Sequence, residues 1–115
     1  MSGYDIFLRA AAMLGFTHDV AERTNLLQNA CGMLRELCLD LGVEPPEVLS
    51  EALSVTLAQN EALLYGMAML TALACGDSAA NRYYTSLYNA KRARAKACVG
   101  KIADVLLRDN GGVRS

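Results

Sequence analysis

Fourteen consecutive residues, Ala62 to Cys75, carry no charge. A helix over such a run has no face that prefers water, so other elements must surround it. Spanning a bilayer takes about 20 apolar residues, which makes this run a buried central helix rather than a membrane span. Its start is marked by Thr56 with Gln59 three residues on, a capping box. Gly76 can take the left-handed conformation that ends it, and Asp77 or Ser78 can accept from the free amides of a following helix. A helix from Leu57, a tight turn and a second helix are therefore written into one stretch.

The chain on either side reads as helix too. Its 115 residues suit one domain, Ala and Leu dominate over β-branched residues, and the only prolines, Pro45 and Pro46, make a single hard break. Ser2 with Asp5 signals a short first helix closed by Gly15, and its Ala10-Ala11-Ala12 run invites close approach of another backbone. A second helix is expected from Thr17 or Asp19, with Asp19 and Glu22 as an acidic capping pair. From Leu26 to Leu41 its apolar residues fall in a stripe about 120° wide, Gly42 ends it, and Leu39 points away from the stripe. Val43 to Val55 reads as a loop, with one helical turn over Val48 to Leu53; loops of that length commonly bind something or order on assembly. The last helix is predicted from Ala79 to about Arg108, roughly 45 Å long. A globule of this size has a radius of gyration of only about 13 Å. The fold class is all-α: three main helices in a small bundle plus a short N-terminal one, with a long C-terminal helix.

Charge divides along the chain. Residues 1 to 77 hold three basic against ten acidic groups, and residues 78 to 115 hold eight against two. Such a division suits head-to-side contact between copies, or pairing of the two parts inside one monomer. On the last helix Lys91 falls in the middle of the apolar stripe. It either buries its stem and reaches water with its ammonium or, with Arg92, makes an ion pair to a neighbouring subunit. Beyond it Val99, Ile102 and Leu106 continue an apolar face, flanked by Arg94, Lys96 and Lys101. These eight residues form the candidate subunit or partner interface.

Catalytic chemistry is poorly supplied. His18 is the one histidine, and the acidic residues form no paired set on a buried face, so no enzyme, cofactor or metal site is expected. Cys31, Cys38, Cys75 and Cys98 lack metal-ligand spacing and read as buried, reduced thiols. The opening residues contain Asp5 and Arg9 and no uninterrupted apolar run of a signal peptide, so a reducing cytoplasm is the expected compartment. Tyr83, Tyr84 and Tyr88 among basic residues admit base stacking, although Tyr84 and Tyr88 fall in the apolar stripe, where packing is their expected work.

Taken in order, several of these features resemble one known family. They are an Ala-rich opening helix closing on Met13-Leu14-Gly15, an apolar helix with an internal Tyr65-Gly66, the Gly76-Asp77 turn, then paired tyrosines and Leu87-Tyr88-Asn89-Ala90-Lys91-Arg92. From about Ile6 to Ala95 the chain resembles the small head-tail connector, or adaptor, proteins of tailed bacteriophages and prophages. The resemblance implies a non-enzymatic virion protein of the head-tail neck, made in the host cytoplasm. It would form a ring, commonly of twelve copies, joining the portal protein to the next neck or tail component, with DNA passing through its lumen. It also implies a portal contact made from roughly Ala95 to Ser115. A cytoplasmic DNA-binding or regulatory protein using the basic last helix stays open beside it, as does an adaptor for one protein partner.

Overall fold

A computed structural model describes residues 2–17 and 25–111, with residues 98–111 as helical backbone alone. Four helices follow one another: α1 (Gly3–Met13), α2 (Asn25–Leu41), α3 (Leu57–Ala74) and α4 (Ser78–Gly111). Among the described residues there is no strand, only one antiparallel bridge between Ser2 and Ala52. The all-α expectation holds, with a short N-terminal helix, three main ones and the last the longest.

Helix ends follow local chemistry. The Ser2 hydroxyl accepts from the Asp5 amide while the Asp5 carboxylate accepts from the Ser2 amide, and Thr56 and Gln59 repeat this at α3. Asp77 Oδ1 accepts from the Ala80 amide at 3.0 Å, so Asp77 caps α4. Gly15, Gly42 and Gly76 close the first three helices with positive φ, where a side chain would be strained. Thr17 lies outside any helix. The expected Asp19–Glu22 capping pair lies outside the described residues, as does the start assigned to Asp19.

The centre of the molecule is α3. It packs against α1, α2 and, most extensively, α4. Ala62, Leu63, Gly66, Met67, Ala68, Thr71 and Ala72 are buried; at 100° per residue they point in every direction around the axis, as an element surrounded on all sides requires. Enclosure stops at the two ends, where Leu57 and Leu73 are largely exposed. From the other helices Ile6, Phe7, Ala10, Leu34, Leu37, Cys38 and Tyr88 complete the core. Gly66 lets two helices approach α3 at one level: a methyl group there would stand 2.7 Å from Leu37 Cδ2 and 3.0 Å from Tyr88 Cδ1.

The loop between α2 and α3, expected over Val43 to Val55, is packed down on the bundle. Pro46 is fully buried, its carbonyl accepts from Arg35 Nη1 at 2.6 Å, and the Leu49 carbonyl accepts from the Tyr4 amide at 2.8 Å. Val48 to Glu51 forms a turn with no helical segment. Backbone groups that would otherwise wait for a partner are thus satisfied by α1 and α2.

α4 sets the overall shape. Its 34 residues extend about 51 Å at 1.5 Å each, close to the 55 Å longest dimension of the molecule. The radius of gyration is 16.0 Å, against about 13 Å for a compact chain of this length.

Candidate partner interface

The inner face of α4 is built from residues one turn apart. Tyr84, Tyr88 and Ala95 lie on it, the latter two only 5% and 2% exposed. Four residues separate Tyr88 from Arg92, so both side chains reach the same point on α2. There the Tyr88 hydroxyl donates to Asp40 Oδ2 at 2.6 Å, and Arg92 donates from Nε to Oδ2 at 2.6 Å and from Nη2 to Oδ1 at 3.1 Å. A two-pronged guanidinium-carboxylate contact fixes orientation as well as distance. The Arg92 guanidinium, then the Tyr88 hydroxyl, hold the Asp40 carboxyl below its ordinary pKa. Burial, then the Asp40 carboxylate, push the Tyr88 hydroxyl well above 10.

One residue earlier, Lys91 turns toward α3. Its Nζ lies 2.8 Å from Glu61 Oε2 and 5.9 Å from the centre of the Tyr65 ring, within range of a cation-π contact. The Tyr65 and Tyr84 rings stack at 6.3 Å, and the edge of Tyr83 meets Tyr84 at 5.0 Å. The Tyr84 hydroxyl also reaches the Met13 carbonyl at 3.4 Å, so it touches α1. These tyrosines pack, as their place in the stripe predicts; Tyr83 alone is mostly exposed, at 62%.

The eight expected interface residues therefore divide. Lys91 and Arg92, expected either to pair with a neighbouring subunit or to reach water, meet carboxylates of their own chain instead. Arg94 and Lys96 are exposed on opposite flanks of α4, where their charges help to lower the pKa of Glu61 and Asp40 respectively. Val99, Lys101, Ile102 and Leu106 lie on its distal helical backbone, their side chains outside the described residues. Asp40 and Glu61 were not singled out from sequence; the spacing of Tyr88 and Arg92 announces a shared acceptor, but nothing local says which carboxylate supplies it.

Among the described residues no three His, Cys, Asp or Glu side chains converge on a metal-sized site. Cys38 is buried and Cys31 half-buried, but Cys75 is exposed, contrary to expectation, because it caps the end of α3. Burial, then the Asp77 carboxylate, raise the Cys75 pKa and keep its thiol protonated. Cys98 and His18 have no described side chain. A shallow cavity of about 160 Å³ opens at the α3–α4 turn, lined by residues that include Leu73, Asp77 and Arg82. It is smaller than the 300 Å³ or more typical of cofactor pockets, and the Asn81 amide beside it donates to the Met69 carbonyl at 2.9 Å. No described helix is long and apolar enough to cross a membrane.

Compared with known protein families, curated proteins and solved structures, the chain matches none.

Proposed function

We propose that this chain is a non-enzymatic structural subunit that assembles with copies of itself. In line with the resemblance of its sequence features to head-tail connectors, it would form a ring between the portal of a tailed phage and the next neck component. One observation supports the reading: α4 runs unbroken from Ser78 to Gly111, about 51 Å at 1.5 Å per residue and close to the 55 Å longest dimension of the molecule, which offers length for contact with other subunits. An isolated helical extension is marginal in water and gains stability when an apolar face docks. Val99, Ile102 and Leu106 supply such a face in sequence.

Nucleic acid binding through the same helix is the weaker reading. Lys91 and Arg92 already face carboxylates, and the remaining described cations lie on both edges of the helix instead of lining one groove.

Mass photometry of the full chain, alone and with a phage portal protein, tests the proposal. A ring-sized species, or stoichiometric binding to the portal ring, is the expected result. A stable monomer that ignores the portal and binds duplex DNA with steep salt dependence overturns it, because phosphate contacts release counterions.

A further inference from the structure

α3 and α4 run antiparallel from their shared turn, and three contacts set their register. The Asn81 amide donates to the Met69 carbonyl at 2.9 Å, the Tyr84 ring stacks on Tyr65 at 6.3 Å, and Lys91 Nζ meets Glu61 Oε2 at 2.8 Å. Each step back along α3 is matched by a step forward along α4. One turn further, Leu57, the first residue of α3, falls opposite the neighbourhood of Ala95. α3 has 18 residues and α4 has 34, so α4 outruns its antiparallel companion by sixteen residues, about 24 Å.

Two ion pairs stand just before that point. Lys91 and Arg92 are neighbours, about 100° apart around the helix, and they reach different elements: Glu61 on α3 and Asp40 in the last turn of α2. The Tyr88 hydroxyl, one turn earlier, lands on the same Asp40 oxygen as Arg92 Nε. Arg94 adds its charge near Glu61, and Lys96 near Asp40. Half-exposed ion pairs are weak singly; a two-pronged guanidinium contact within a charge network is the exception. Apolar packing does less here, because among the described residues the next buried position of α4 after Tyr88 is Ala95, a single methyl group. Leverage makes the anchors matter. From Arg92 to Gly111 is about 28 Å of helix, and a tilt of about 15° at the pairs would carry the far end about 7 Å.

We infer that Asp40 and Glu61 are positioning residues: they clamp α4 from two flanks and so fix the direction in which its C-terminal part is presented to other subunits. The inference rests on the self-assembly proposed above and names the side chains that make the presented angle the same in every copy. Copies joined by one repeated contact close into a ring only when the rotation between them is constant.

Pulsed electron spin resonance on the full chain tests the clamp. Nitroxide labels go on Gln28→Cys and Asp109→Cys, with Cys31, Cys75 and Cys98 replaced by serine and labelled chains diluted in unlabelled ones, so that only distances within one copy are read. The clamped chain should give one narrow distance distribution. Asp40→Asn and Glu61→Gln should each broaden it about twofold, and the two together further, with the helical circular dichroism signal retained. Exchanging partners, Glu61→Lys with Lys91→Glu, should narrow it again, which separates a lost anchor from a damaged fold. A distribution as narrow in the doubly neutralised chain overturns the inference, because packing alone would then aim the helix; a broad one in the clamped chain overturns it too. Mass photometry of the same variants reads the role in assembly. Ring formation or portal binding undiminished without the clamp overturns that role. A chain whose clamp behaves as described but which neither self-associates nor binds the portal removes the proposed function and leaves the clamp standing.

Discussion

Gly66 shows how much one absent methyl group permits. Two side chains from different helices, Leu37 and Tyr88, occupy the space its Cβ would need, and both belong to the core. Alanine there gains about 1 kcal/mol of helix propensity but overpacks the site, which typically costs about 1–3 kcal/mol. The expected outcome for Gly66→Ala is a net loss of about 1 kcal/mol, read by urea unfolding as a lower midpoint at constant m-value. Unchanged or higher stability would mean that Leu37 moves aside without cost. Gly66 and Gly32 look alike in sequence, both glycines inside helices. Only the neighbours supplied by the fold separate a crowded position from an open one.

At the scale of elements, the capping pairs at α1 and α3, the Asp77 cap of α4 and the three closing glycines were all legible, because each is settled within four residues. The apolar stripe of α2 was legible for the same reason, and Leu39 was correctly placed off it. Two element-level readings did not hold. The Val43 to Val55 stretch is a loop as expected, but the helical turn expected over Val48 to Leu53 is absent, and the loop is held on α2 and α1 by Arg35 and Tyr4, which donate to its carbonyls. The thiol of Cys75 is exposed because the last turn of α3 emerges from the bundle. For α4 the proposed function yields a prediction. If Val99, Ile102 and Leu106 serve other subunits, a chain ending after Ala97 should keep its thermal midpoint within a few degrees of the full chain while self-association or portal binding is lost. Differential scanning fluorimetry with mass photometry checks this; loss of the folded state on truncation would show that the distal helix belongs to the monomer core.

Across the whole molecule, the charge division of the sequence is met inside the chain, among the described residues, at two points, Asp40 with Arg92 and Glu61 with Lys91. Both tie α4 to the earlier helices, and both have consequences for pH. The Asp40 and Glu61 carboxyls are held below their ordinary values of 3.8 and 4.5, chiefly by hydrogen bonds from Arg92 and Lys91. A depressed folded-state pKa gives stability that is fully present above the unfolded value and disappears as pH falls through the folded one. Tyr88 and Tyr84 are raised above 10.0, chiefly by burial, so their contribution is complete below pH 10 and declines above it as the unfolded chain ionises first. Stability followed by circular dichroism should be level from about pH 5 to 9, fall below about pH 4.5 and fall again above about pH 10. Asp40→Asn should flatten the acid limb; an unchanged limb in that variant would remove Asp40 from the account.

By itself the sequence determined the all-α class, the order of the helices, most of their ends and the stripes they bury, because backbone hydrogen bonds and helical periodicity act over a few residues. The tertiary structure alone decided which carboxylates receive Lys91 and Arg92, that Gly66 is crowded while Gly32 is open, and that the proline loop is closed. Those outcomes join groups as far as 52 positions apart. Contacts of that reach depend on how helices stack in three dimensions, and no local pattern of residues encodes the stacking.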